Sequence, residues 1–337
     1  MTNTKGRFSR GRKATVCALA LCLVAAGAYV SLNTNLFGQD RACGGLVSAD
    51  KAADAFGGSG RIADGVELDR EPDDAVEFHC VVDSTTFQLG SERKELRVDG
   101  ERVRGALPEV TLEQGDGAAR TSYFTGDTTG GVDGFGGWIL LPQACTTQQG
   151  PATVRVSLRQ ESDPLAIARL LTDIANNATK QAECADGGPL AAPASLTASA
   201  KQRAVRDGAV CGLEGLTFPG RKFQAGSTES VQDRTKVIWA CEVEDRATYA
   251  VTQDPHLVAA IQSSPEYAKQ RPVAGLDVSG FDQQHVVAEC SGQPTYFSLG
   301  TGSAFQDDTD YPETPKWSEL MENFVKTAGK EYGCGAR

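Results

Sequence analysis

Val76-Glu-Phe-His-Cys-Val-Val82 and Val237-Ile-Trp-Ala-Cys-Glu-Val243 are two strand-like alternations, each carrying a cysteine on its apolar side. Val76, Phe78, Cys80 and Val82 share one face of the first; Val237, Trp239, Cys241 and Val243 share one face of the second. Outward from these stretches the same order of features recurs. A Cys-Gly pair opens each set, at Cys43-Gly-Gly-Leu46 and at Cys211-Gly-Leu213. A third cysteine follows an apolar run: Ile139-Leu-Leu141 before Cys145, and Val286-Val-Ala288 before Cys290. Then comes another strand, Ala152 to Leu158 or Thr295 to Leu299.

The fourth cysteine closes a helix. Ile167, Leu171, Ile174 and Ala178 form one stripe at helical spacing, as do Trp317, Leu320/Met321, Phe324 and Ala328. Cys184 and Cys334 each follow the last alanine by six residues, and Lys180 and Lys330 precede them by four. Pro164 and Pro315 stand near the helix starts, where a missing N–H costs nothing. Recurrence of order, spacing and periodicity points to an internal duplication. The expected fold is α+β: two tandem disulfide-bonded repeats, 43–184 and 208–337, each an antiparallel sheet with a C-terminal helix packed on it. Ser48 is placed to cap an opening helix in the first repeat, with Ala52, Ala53 and Phe56 as its apolar face. Gly215, Pro219 and Gly220 suggest a loop at the equivalent place in the second. The stretch 185–207 reads as a linker, rich in Gly, Pro and Ala, with a short helix from Ser199 to Arg206.

Residues 1–13 hold Lys5, Arg7, Arg10, Arg12 and Lys13 and no acid. Removing these five leaves 28 basic against 44 acidic residues, so the remainder carries about −16 by formal count. Such a body repels nucleic acid and anionic lipid. Residues 14–32 are uncharged and rich in Ala, Leu and Val; as a helix they span roughly 28 Å, close to a bilayer core of about 30 Å. The expectation is one N-terminal transmembrane helix with the basic tail in the cytoplasm, a stalk at 33–42 and the rest extracellular. A signal peptide cleaved near Ala28, after Ala26-Gly27-Ala28, is the alternative. Cys22 follows Leu21 rather than a small residue, which argues against a lipoprotein, and Cys17 and Cys22 are expected to pack as small apolar residues.

Eight cysteines remain outside that segment, an even number in an exported chain, which reads as four disulfides. No two lie close enough for a zinc site, so no metal or cofactor is expected. Four cysteines allow three pairings per repeat. Local pairing joins first to second and third to fourth; nested pairing joins the ends to each other and the strand cysteines to each other.

The run Cys43-Gly-Gly-Leu-Val-Ser-Ala-Asp-Lys-Ala-Ala-Asp-Ala-Phe-Gly57, with a strand cysteine at Cys80, resembles a domain of unknown function from actinobacterial cell-envelope lipoproteins. The resemblance covers about forty residues of the first repeat. It implies an extracytoplasmic α+β domain with a Cys43–Cys80 bridge, which favours the local scheme, and it brings no catalytic residues.

Candidate sites are few. His79, His256 and His285 are the only histidines, without H-E-x-x-H spacing. His79 and His285 read as surface histidines on strands, although Glu77 and Asp83 could join His79 around a cation. Ser48-Ala-Asp-Lys51 matches S-x-x-K, but the S-D-N and K-T-G partners are missing, and Lys326-Thr-Ala328 lacks the glycine. The stretch Gly126 to Gly137 holds six glycines in twelve residues and precedes Trp138. It reads as a flexible hairpin loop, and Asp127, Asp133, Phe135 and Trp138 are its candidate binding residues. Asp307, Asp308, Asp310 and Tyr311 form a second acidic loop.

These features favour a non-catalytic envelope module that binds a partner protein, a peptide or a wall component. A hydrolase using paired carboxylates is the alternative, because such a pair leaves no readable spacing. Sensing would need a membrane partner, since thirteen cytoplasmic residues hold no output domain.

Overall fold

The alternation around Cys80 becomes the second strand of a seven-stranded antiparallel sheet, and the one around Cys241 the third strand of an eight-stranded sheet. The computed structural model describes residues 7–58, 60–88, 90–103, 117–185, 187–197, 199–218, 226–234, 237–244, 246–302 and 316–335. The chain begins with α1 (Arg7–Asn33), β1 (Arg41–Ala42), β2 (Val47–Ser48) and α2 (Ala49–Ala55). The first sheet is built from β3 (Arg61–Arg70), β4 (Phe78–Gln88), β5 (Gly90–Arg102), β6 (Ser122–Phe124), β7 (Gly130–Val132), β8 (Gly136–Leu140) and β9 (Ala152–Leu158). Helix α3 (Pro164–Gln181) follows. Next come β10 (Gln202–Ala204), β11 (Thr228–Val231), β12 (Ile238–Val243), β13 (Ala247–Thr252) and α4 (Pro255–Ser263). The chain continues through β14 (Ala268–Lys269), β15 (Val278–Gly280), β16 (His285–Cys290), β17 (Gln293–Thr301) and α5 (Trp317–Glu331).

The strand orders are β3-β4-β5-β9-β8-β7-β6 and β10-β11-β12-β13-β17-β16-β15-β14. Counted from β3 in one and from β11 in the other, the two orders correspond, with Cys80 and Cys241 each on the second strand and the return strand, β9 or β17, fourth. Ile167, Leu171, Ile174 and Ala178 of α3 are buried with Val82, Leu96, Val98, Ile139 and Val156. Leu320, Met321, Phe324 and Ala328 of α5 are buried with Trp239, Cys241, Tyr249 and Phe297. Each Val, Leu, Ile, Met or Phe side chain among these contributes roughly 1.5–3 kcal/mol on leaving water. The opposite faces of the sheets meet each other. Trp138 and Leu140 pack in one cluster with Ile238, Ala240, Ala250, Val287 and Tyr296, joined by Leu257, Val258 and Ile261 of α4. The layers are therefore helix, sheet, sheet, helix.

Disulfides join Cys43 to Cys80, Cys145 to Cys184, Cys211 to Cys241 and Cys290 to Cys334, the local scheme throughout. Three of them tie a segment outside the sheets to a strand, and the fourth ties the turn at Cys145, after β8, to the end of α3; the bridged residues are 30 to 44 positions apart. A bridge of that kind typically adds about 2–4 kcal/mol.

Several expectations need correction. Ser48 occupies the cap position of α2, but its hydroxyl makes no capping bond; its amide instead donates to Asp173 Oδ2 at 3.3 Å. Residues 202–204, expected in a short helix, pair with β11 as an edge strand, because an open sheet edge offers the backbone partners that a few polar residues cannot find alone. Val237 and Trp317 belong by periodicity to the buried faces yet are 46% and 39% exposed, Val237 just before β12 begins and Trp317 as the first residue of α5. His285 is buried rather than on the surface. The segment 14–32 lies within α1, and among the described residues no helix is long and apolar enough to cross a membrane. The side chains up to Ala14, and those of Val16 and Cys17, are outside the described residues. Cys22 is exposed and unbridged, not packed. Pro219, Gly220, Pro315 and the loop with Asp307, Asp308, Asp310 and Tyr311 also lie outside the described residues.

Candidate functional site

The glycine-rich stretch is a tight hairpin within the sheet, not a free loop. Gly130 pairs with Ile139 and Val132 with Gly137. A Cβ on Gly136 would stand 2.3 Å from the Val156 carbonyl oxygen, and one on Gly137 2.4 Å from that of Gly131. The glycines thus let neighbouring strands approach. Asp133 closes the turn: its Oδ1 accepts the amides of Phe135 at 2.7 Å and Gly136 at 2.9 Å. Phe135, at the tip, is 54% exposed. Trp138 is a correction to the candidate set, since it is buried between the sheets with its ring 6.4 Å from that of Tyr123. Strand alternation alone put it near the loop; the second sheet is what covers it. Asp127 accepts the Ala191 amide at 3.3 Å and so holds the linker.

Phe135 and Asp133 do border an open cleft of about 630 Å³. Arg120, Glu161, Asp163 and Leu196 complete its walls. A smaller cleft of about 220 Å³ continues beside it, lined by Tyr123, Thr125, Gln232 and Ile238. Ser122 and Thr197 border both clefts, and the Ser122 hydroxyl donates to the Thr197 carbonyl at 2.7 Å. Gln232 Nε2 donates to the Thr121 carbonyl at 2.8 Å, which ties the second sheet to this wall. Burial pushes the Tyr123 phenol up, so it stays neutral as it donates to the Ala118 carbonyl at 3.0 Å. Asp163 caps α3 through the Leu165 amide at 3.1 Å. The cleft offers an aromatic ring beside three acids, of which Glu161 and Asp163 are exposed and Asp133 half-buried, and one cation, Arg120.

The histidines and the S-x-x-K match are all accounted for structurally. His79 Nδ1 lies 2.7 Å from Asp99 Oδ1, and Asp83 is taken by Arg93 at 2.5 Å, so no cation site forms with His79. His285 Nδ1 lies 2.9 Å from both oxygens of Asp282. Burial opposes the Asp282 charge, but the His285 contact and the amides of Gln284 and His285 outweigh it and hold the carboxyl below its usual value. His256 Nε2 lies 3.1 Å from the Gly126 carbonyl oxygen, a contact between the two halves. Lys51 Nζ lies 3.7 Å from Asp50 on the helix surface. Cys211, Cys241 and Glu229 come within ligand distance of one another, but both sulfurs are in a disulfide and offer no thiolate.

Two acids, Asp64 and Glu229, escaped the sequence reading. Cys43 and Cys211 both adopt left-handed backbone, with φ of 53° and 60°. The Cys43 amide donates to Asp64 Oδ1 at 2.6 Å, and the Cys211 amide to Glu229 Oε2 at 2.7 Å. Asp64 pairs across the sheet with Val82, and Glu229 with Val243, in each case the valine two places after the strand cysteine. The acids differ in type and in distance along the chain from their cysteines, which hides the correspondence. Comparison of the chain with protein-family models, with curated proteins and with solved structures finds no match.

Proposed function

We propose that this chain is a membrane-anchored, non-catalytic binding protein of the bacterial cell envelope, built from two copies of one module. Four disulfides support an oxidising compartment. The basic start, the uncharged run that follows and the exposed Leu19, Leu21, Leu23 and Val24 on α1 support an anchor that lipid would cover. Parallel strand orders and the acid beneath each first cysteine support duplication, and the resemblance to an actinobacterial envelope domain fits the same reading.

The observation that carries the binding function is the cleft at Phe135. Its ligand is an amine-bearing chain, such as a basic peptide or the amino group of a wall stem peptide. The cation sits on the face of the Phe135 ring, and Asp133, Glu161 and Asp163 outnumber Arg120 in the field around it. Calorimetric titration of the purified chain with soluble wall fragments and with a tri-lysine peptide tests this. Binding that falls with Phe135→Ala and Glu161→Gln supports the reading. Absence of binding, or binding indifferent to both changes, removes it.

A further inference from the structure

The two sheets differ at one edge. In the second, β10 covers β11, with Arg203 directly opposite Glu229 and its Nε donating to Oε1 at 2.8 Å. The cover leaves Glu229 only 2% exposed. In the first, β3 is the outermost strand, and Asp64 takes the place of Glu229, as the valine pairing and the cysteine contact both require. Asp64 and its neighbour Ala63 are exposed.

The backbone there points outward. The Gly60 amide donates to the Asn33 carbonyl at 2.9 Å and the Ile62 amide to Asn35 Oδ1 at 3.2 Å, so the chain's own residues 33–35 take the edge as far as Ile62 and its open part begins at Asp64. N–H direction alternates along a strand, so the Asp64 amide and carbonyl face off the same edge. The pairing of β3 with β4 is regular from Arg61 to Asp64 and slips only beyond it.

We infer that the β3 edge at Asp64 takes an extended basic segment of a partner polypeptide, paired main chain to main chain, with an Arg or Lys closing on Asp64. The chain's own β10 shows the chemistry that fits such an edge: residues 199–206 read Ser-Ala-Lys-Gln-Arg-Ala-Val-Arg, with three cations and no acid. A second copy of β3 is a poor occupant. Full antiparallel overlap sets Asp64 against Glu67 and Arg61 against Arg70, and like charges directly opposite are destabilising. The acidic body adds a long-range bias toward a basic partner. This edge is separate from the cleft at Phe135, so either reading can fail without the other.

The test is fluorescence anisotropy of a labelled peptide copying residues 199–206, titrated with the purified full chain. The peptide is expected to bind, and Asp64→Asn, which keeps an acceptor for Cys43, to weaken it about tenfold. A peptide N-methylated at the arginine matching Arg203 is expected not to bind, because it cannot donate to the edge. Glu229→Gln, on the covered edge, is the control. No binding overturns the inference, as does equal binding of the methylated peptide, which marks mere charge attraction. A loss with Glu229→Gln in place of Asp64→Asn also overturns it, since the peptide would then be displacing β10. The methylated peptide leaves the protein unaltered, so the answer does not depend on how well a variant folds.

Discussion

Glu229 lies beneath Cys211, its Oε2 accepting the Cys211 amide at 2.7 Å while Oε1 holds Arg203 at 2.8 Å. A cysteine with φ of 60° pays for its left-handed backbone, and the buried carboxylate satisfies its buried amide. Asp64 serves Cys43 in the same way from a more open position.

Glu229→Ala therefore leaves a buried amide without an acceptor. It is expected to cost about 1–3 kcal/mol in denaturant unfolding of the oxidised chain, with Glu229→Gln costing less. The Asp64→Ala loss should be smaller, because Asp64 is exposed and its bond to Cys43 is only partly buried. Equal losses would contradict the difference in burial.

Peptide mapping without reduction should recover the pairs 43–80, 145–184, 211–241 and 290–334. A peptide linking Cys80 to Cys145 would refute this arrangement. Removing the bridge at Cys145 and Cys184 by a double Ala substitution should lower stability by about 2–4 kcal/mol.

Phe135 and Trp138 are three residues apart and should behave oppositely. Trp138→Ala opens a void between the sheets and is expected to cost about 3–5 kcal/mol. Phe135→Ala removes an exposed ring and should change stability by less than about 0.5 kcal/mol, while weakening binding at the cleft. A large stability loss at Phe135 would place that ring in the core.

The pH dependence has two arms. Asp282 titrates below its ordinary value when folded, so its contribution is present above the unfolded pKa and is lost as pH falls through the folded one. Asp282→Asn should flatten the acid limb of stability below about pH 4. Tyr332, pushed up to about 12 chiefly by burial, contributes fully below the unfolded value near 10 and loses that contribution as pH rises toward 12. Tyr332→Phe should blunt the alkaline limb; denaturant midpoints measured across pH check both arms.

Local pattern alone determined much of this protein. The faces of β4 and β12, the strand Ala152–Leu158, and the stripe of Ile167, Leu171, Ile174 and Ala178 follow from periods of 2 and 3.6, which any short window displays. Only the tertiary structure decided what lies next to what. Trp138 is core because a second sheet covers the face that alternation merely defines. Residues 202–204 are a strand because the edge of β11 is there to receive them. Asp64 and Glu229 reach the first cysteines through strand register, which brings together residues 21 and 18 positions apart in the chain. Periodicity states which way a side chain points, whereas its partner depends on chain segments that no local window contains.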